Sequence, residues 1–343
     1  MKFRFLTSTP LDVTRGSGTY VGISVLAGAL RDLGHTVAVE SSTRRFPVYT
    51  LERLWFNRSL YPRDDFDCTV GFDMDGYRIA AQGRHVAALK GVIADEVRFE
   101  SGMTAFTMGI QARCERLHVR RAARIITSSR YSAEFAQRFY GLSQLPAVVP
   151  EPIDLAVWRA QLAAFPASAA RFTVLCVSRF YKRKRVNLLL HAAAKLRAVI
   201  PNLEVRIVGN GPRARAWHAL ARELKLADTV TWLPDIARSD LAAEYNRASV
   251  FCLPSVQEGF GIVLLEAMTA GLPIVAARAA AVPEVVPHAT LVEPESVDSL
   301  AAGILDLYSS PETRSAQRIA GRPWVEQFDA PRVAQLFLAA VKE

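Results

Sequence analysis

The chain is poor in several things, and each shortage excludes something. Its four cysteines, Cys68, Cys114, Cys176 and Cys252, stand alone, with no C-x-x-C pair among 343 residues. That spacing supports neither a disulfide framework nor a zinc site. No stretch approaches the ~20 consecutive apolar residues of a membrane-spanning helix. The opening Met1-Lys2-Phe3-Arg4-Phe5-Leu6 is too short and too charged for a secretory signal, so a cytoplasmic protein is expected. Low-complexity sequence is scarce, and aromatics do not interleave with basic residues in the manner of nucleic-acid-binding modules, so no nucleic acid is expected as a partner.

What is present is a half-hydrophobic chain of net charge +9, long enough for two domains with a core each. Both halves share the positive charge. The densest basic segment runs from Arg113 to Arg124. It suits a solvated helix face, anionic lipid headgroups reached from the membrane surface, or a phosphate-bearing substrate.

Short apolar runs alternate with helical patterns twice over. Strands are expected at 3–7, 36–40, 68–72, 85–89, 124–128 and 147–149, with helices at 19–33, 104–122 and 132–139. Residues 41–67 lack periodicity and read as an irregular, acceptor-facing loop. The second half gives strands at 172–178, 203–209, 229–233, 249–253, 273–277 and 290–292, and helices at about 186–199, 212–226, 238–247, 261–270 and 296–308. The fold class is therefore α/β, with two doubly wound, Rossmann-like domains of parallel strands. Pro146, Pro150, Pro152 and Pro166 mark a linker. Domains are expected at 1–155 and 156–320, followed by a helical segment, 321–343, that packs across the boundary. A ligand site is expected in a central cleft at the carboxyl ends of the strands.

Four segments carry candidate chemistry. In Glu258-Gly259-Phe260-Gly261-Ile262-Val263-Leu264-Leu265-Glu266, two carboxylates bracket a helix N-terminus whose free N–H groups favour anions. Glu258 also fits a surface position at a helix start. Glu266 lies in an apolar stretch, where a buried carboxylate needs donors. The second segment, Arg179-Phe180-Tyr181-Lys182-Arg183-Lys184-Arg185, puts five cations at a strand end, suited to phosphate or to a solvated loop. Gly209-Asn210-Gly211-Pro212 is a glycine turn before a helix, common in any α/β domain. Gly16-Ser17-Gly18-Thr19-Tyr20-Val21-Gly22 offers backbone amides to an anion. With Glu40 ending the next strand, it also resembles a dinucleotide fingerprint, which would make the chain a nicotinamide- or flavin-dependent enzyme. Here, however, the glycines follow the first strand by several residues.

The second half resembles the nucleotide-sugar domain of glycosyltransferase family 4, the retaining transferases of GT-B fold, also called glycosyl transferases group 1. The matching residues are Arg179 with Lys184, Val208-Gly209-Asn210-Gly211-Pro212, the Pro254–Ala276 segment with its Glu258 and Glu266, and Val282-Pro283-Glu284. The resemblance covers about 171–310 well. Over 1–155 it is looser: Gly16-Ser17-Gly18 is similar to the family's donor-phosphate loop, and Glu151-Pro152-Ile153-Asp154 to its linker entry. It implies that Arg179 and Lys184 bind the donor diphosphate. Glu258 would face the donor sugar and Glu266 the ribose. The amides of Gly259, Phe260 and Gly261 would cap the sugar or phosphate, and Gly209, Gly211, Gly16 and Gly18 would line the donor site.

The donor implied is a UDP-, GDP- or ADP-sugar, held as a substrate with no cofactor and no metal. No Asp-x-Asp stands in a context suited to one. The acceptor implied is a glycan, a lipid-linked glycan or a small molecule, as in polysaccharide biosynthesis. One departure stands out. Where the family often carries a histidine near the sugar, this chain has Lys90, with Asp95 and Glu96 as the expected ion partners. Lys90 and Asp75 are candidates for the acceptor or sugar side. The substitution also motivates a third reading, a non-catalytic, transferase-like partner in a glycan-assembly complex.

Overall fold

The computed structural model describes residues 1–9, 18–44, 46–165, 171–234 and 236–342. The chain divides into two compact units, Met1–Pro152 with Phe328–Glu343, and Ile153–Gln327.

The first unit contains β1 (Lys2–Thr7), α1 (Gly18–Asp32), β2 (Thr36–Ser41), α2 (Tyr49–Ser59), β3 (Cys68–Phe72), β4 (His85–Leu89), α3 (Ile93–Val97), α4 (Gly102–Arg121), β5 (Arg124–Thr127), α5 (Arg130–Tyr140) and β6 (Ala147–Val148). Its sheet has the order β2-β1-β3-β4-β5-β6, parallel throughout. The reversal of strand order lies between β1 and β3, and ligand crevices in such sheets open at the carboxyl ends of that pair.

The second unit contains α6 (Leu155–Ala163), β7 (Phe172–Val177), α7 (Val186–Leu196), β8 (Leu203–Val208), α8 (Ala214–Glu223), β9 (Val230–Leu233), α9 (Arg238–Arg247), β10 (Val250–Leu253), α10 (Ile262–Thr269), β11 (Ile274–Ala277), α11 (Val282–Val285), β12 (Thr290–Val292), α12 (Val297–Ser309) and α13 (Pro311–Val325). The order β12-β11-β10-β7-β8-β9, again parallel, puts its reversal between β7 and β10. Val174, Leu175 and Cys176 are all fully buried. This fits a strand covered on both faces, which needs no polar alternation.

The last helix, α14 (Ala330–Lys342), belongs to the first unit. Phe337 is fully buried there, edge-on to Phe3 at 5.7 Å and Phe5 at 6.0 Å. The division thus falls at Pro152 and Gln327 rather than at 155 and 320, and the C-terminal helical segment is split between the units. Two helices replace expected irregular structure. Asp154 caps α6 by accepting from the Val157 amide at 2.9 Å, so the proline-rich linker ends before it. The helix α2 occupies part of 41–67. Its buried face is mostly polar, with Thr50, Glu52, Arg53 and Asn57 beside Phe56, so it shows no apolar period. Cys68, Cys176 and Cys252 are buried free thiols, and Cys114 is half-buried. Among the described residues no helix is long and apolar enough to cross a membrane.

Candidate functional site

In the second unit, the loops leaving β7 and β10 fasten to one another. The Val256 amide donates to the Arg183 carbonyl at 3.0 Å. Arg183 Nε donates to the buried Gln257 Oε1 at 3.0 Å, and Lys184 Nζ to Glu258 Oε1 at 2.7 Å. Lys184 and Glu258, separate candidates in the sequence, form a mostly buried ion pair. Such a pair keeps its geometry because separating it would strand a charge in a poorly solvated place.

Arg179 differs from its neighbours. It is half-buried, and its guanidinium makes no side-chain hydrogen bond or ion pair among the described residues. It stands at the end of β7, beside the strand-order reversal. The hydroxyl of Ser255, after β10, is buried without a partner. An unpaired cation and an orphaned donor at the carboxyl edge suit an anionic, hydroxylated ligand.

Gly261 precedes α10 with φ of +96°, a conformation that favours glycine, so α10 starts a short turn after Glu258. Glu266 lies one turn inside α10 and is buried. Its Oε1 accepts from Arg238 Nη1 at 3.1 Å and its Oε2 from the Tyr245 hydroxyl at 2.9 Å. Burial raises its pKa, while Arg238 and Tyr245 act against the rise. The Arg238 guanidinium lies 5.0 Å from the Trp158 ring centre. Sequence reading passed over Arg238 and Tyr245, although their spacing of seven places them on one face of α9.

The glycine turn after β8 packs against the loop that carries Arg179. A Cβ on Gly209 would lie 2.0 Å from the Ser178 carbonyl oxygen, and one on Gly211 2.8 Å from the Phe180 nitrogen. Phe180 N donates to the Asn210 carbonyl at 2.9 Å. Both glycines therefore admit the backbone of the Arg179 loop and hold it in place. Gly259 and Phe260 stand between Glu258 and Gly261, with Phe260 buried.

In the first unit, Gly16 lies outside the described residues, and Gly18 is the first residue of α1. Lys90, just past β4, donates to Glu151 Oε2 at 2.8 Å, and the pair is nearly buried. Of the expected partners, Asp95 is otherwise placed, since it accepts from Arg98 at 3.0 Å and from the Tyr131 hydroxyl at 2.7 Å. A Cβ on Gly22 would lie 2.0 Å from Glu151 Oε2, so a larger residue there would shift the carboxylate of this ion pair. Asp75 does not face outward. It is fully buried and accepts from the Ser8 amide and hydroxyl, both at 2.7 Å, from Asn57 Nδ2 at 2.9 Å and from Arg53 at 3.3 Å. It is an internal anchor tying α2 to the end of β1, which corrects its candidacy for the acceptor side.

Asp73 sits at the end of β3 with φ of 53°. It accepts from the Lys90 amide at 2.9 Å, and burial pushes its pKa up to about 6. Glu40, which a dinucleotide-binding site would place on a ribose, instead accepts from Arg4 at 2.9 and 2.7 Å. Among the described residues no cluster of three or more His, Cys, Asp or Glu could hold a metal ion.

Residues 161–324 match the family model described as glycosyl transferases group 1. The chain is 33% identical over 215 residues to a GDP-mannose-dependent alpha-(1-6)-phosphatidylinositol monomannoside mannosyltransferase of Mycobacterium tuberculosis, covering 58% of this chain and 54% of that one. It is 31% identical over 242 residues to a D-inositol 3-phosphate glycosyltransferase of Kribbella flavida, covering 65% and 57%. These matches span about half the length of the curated relatives. Among solved structures, sucrose-phosphate synthase from Thermosynechococcus elongatus superposes with a TM-score of 0.83 at 20% identity, over 99% of this chain and 98% of that one. Anabaena HepE, solved with UDP and glucose, superposes with a TM-score of 0.77 at 19% identity, over 100% and 99%. At these identities the likeness shows the fold, which is GT-B.

Proposed function

Because residues 161–324 belong to the glycosyl transferases group 1 family, we propose that the chain moves a sugar from a nucleotide diphosphate sugar to a hydroxyl acceptor with retention of anomeric configuration. The observation that carries this reading is the Arg179 guanidinium, unpaired among the described residues, in the segment after β7 that also supplies Lys184 to the Lys184–Glu258 ion pair at the strand-order reversal. Arg179 and Lys184 would bind the diphosphate and stabilise the charge it gains on leaving. Fixed charge aimed at a leaving group is an effective form of transition-state stabilisation. With two such cations, the reaction needs no metal in this reading. Glu258 would take donor-sugar hydroxyls, and the Gly259, Phe260 and Gly261 amides would cap the sugar or phosphate. Glu266, held by Arg238 and Tyr245, would accept from the ribose.

In the transfer itself, the bond from the anomeric carbon to the phosphate oxygen breaks, and a bond to the acceptor oxygen forms on the same face. The acceptor proton passes to the departing phosphate oxygen. The anomeric carbon is oxocarbenium-like at the transition state. The relatives' names favour a GDP-linked donor, whereas HepE was solved with UDP; UDP-, GDP- and ADP-sugars are all to be tried. The free thiols suit a reducing, cytoplasmic compartment.

The test is a panel of UDP-, GDP- and ADP-sugars read by thermal shift and by slow donor hydrolysis. One donor is expected to raise the melting temperature, and Glu266→Ala to abolish the shift. Arg179→Ala is expected to melt near wild type, and Glu258→Gln to melt lower because it strands the Lys184 charge; while folded, each should hydrolyse donor about 100-fold more slowly. Near-wild-type hydrolysis in both variants would remove the site assignment.

A further inference from the structure

We propose that the first unit docks on an anionic lipid surface through the outward faces of α2 and α4. The helix α2 is built inside out. Its inward side carries Glu52, Arg53 and Asn57 with a single large apolar residue, Phe56, and Arg53 and Asn57 are held in the buried network around Asp75. Its outward side carries Val48, Leu51 and Trp55, a stripe at helical spacing. Leu51 is 51% and Trp55 41% exposed. In water an amphipathic helix turns its apolar stripe to the core; here the protein interior takes the polar stripe.

The neighbouring helix α4 packs on α2 through Gln111 Nε2, which donates to the Thr50 hydroxyl at 2.6 Å. At its first turns it too exposes large apolar side chains, with Met103 73% and Phe106 66% exposed. Large side chains exposed on two adjoining helices form the kind of surface that soluble proteins normally cover.

Charge and residue type select the occupant. On the same two helices Arg58 of α2 and Arg113 and Arg116 of α4 are exposed and make no side-chain hydrogen bond or ion pair among the described residues. Arg44 lies 4.7 Å from the Trp55 ring centre. Tryptophan and tyrosine favour the boundary between headgroups and acyl chains, and arginine reaches headgroup phosphates. Beside Trp55 opens a cavity of about 500 Å3, lined by Arg44, Ser41, Thr43, Ser59 and Tyr61. It offers a cation and hydroxyls to a phosphate headgroup. Glu40 in its wall is neutralised by Arg4. This surface goes beyond the transfer reaction, and its test needs no turnover.

The experiment is flotation of the full chain with phosphatidylcholine vesicles, with and without phosphatidylglycerol. Binding to the anionic vesicles alone is expected, weakening as salt is added. Leu51→Glu with Phe106→Glu, and separately Arg58→Glu with Arg113→Glu, are expected to cut the bound fraction about tenfold or more. Both double variants should retain the wild-type melting temperature and donor-induced shift. Three results would overturn the proposal. They are no binding to either vesicle, binding unchanged in both variants, and a lipid-free wild-type dimer that the apolar variant makes monomeric, which would give the face to a second copy.

Discussion

The residues that most constrain the site are paired across long stretches of sequence. Lys184 meets Glu258 and Lys90 meets Glu151, 74 and 61 positions apart. The sequence names Lys184, Glu258 and Lys90 from their neighbourhoods, but not Glu151 as the partner of Lys90, because only adjacent acids are visible in it. The Glu151 carboxylate is enclosed by Gly22 and Lys90. Replacing it should therefore leave a nearly buried ammonium without its counter-charge. Glu151→Gln is expected to lower stability by about 3 kcal/mol, while Lys90→Met with Glu151→Gln recovers most of the loss. Urea unfolding would check this, and a loss below about 1 kcal/mol in the single variant would show that the pair contributes little.

Whole elements were more legible than contacts. β3 and β4 have the bounds expected of them, because a strand buried almost throughout writes itself as a mainly apolar stretch. The strand order, and with it the two reversals, was not readable, since nothing local records which strands pair. The helix α2 escaped because its inward face is polar, and α6 because prolines masked its cap. The turn after β8 was legible as a turn, but its packing partner was not. Its glycines accommodate the backbone of the Arg179 loop. Gly209 has φ of +128° and no room for a methyl beside Ser178. Gly209→Ala is expected to destabilise the second unit by about 3 kcal/mol through backbone strain and the clash. A loss under about 0.5 kcal/mol in denaturant unfolding would mean that the loop shifts freely.

For the molecule as a whole, acid stability carries a signature of its buried histidines. Burial lowers the pKa of His85 to about 3 and that of His118 to about 4, and the two rings meet at 2.8 Å. In the unfolded chain both would take protons below about pH 6.5. The unfolded state then binds more protons, so each histidine removes stability as pH falls from about 6.5 toward its folded value, by up to about 1.4 kcal/mol per pH unit. Asp73, Glu115 and Glu266, whose pKa values burial raises, act in the opposite sense. They do so in wild type and in a histidine variant alike, and so cancel in a comparison. His85→Asn should therefore lose less stability than wild type between pH 6.5 and 4. Parallel curves, measured by thermal melting across that range, would contradict the assignment.

The order of synthesis meets this architecture at one place. The helix that carries Phe337 into the Phe3 and Phe5 cluster is made only after all of Ile153–Gln327. At ribosomal rates of roughly 5–20 residues per second, those 175 residues (327 − 152) take about 10–35 s. Through that interval the nascent N-terminal sheet presents a bare aromatic face. A chaperone has that long to occupy it, and a ribosome stalled inside the second unit would leave an open, adhesive first unit.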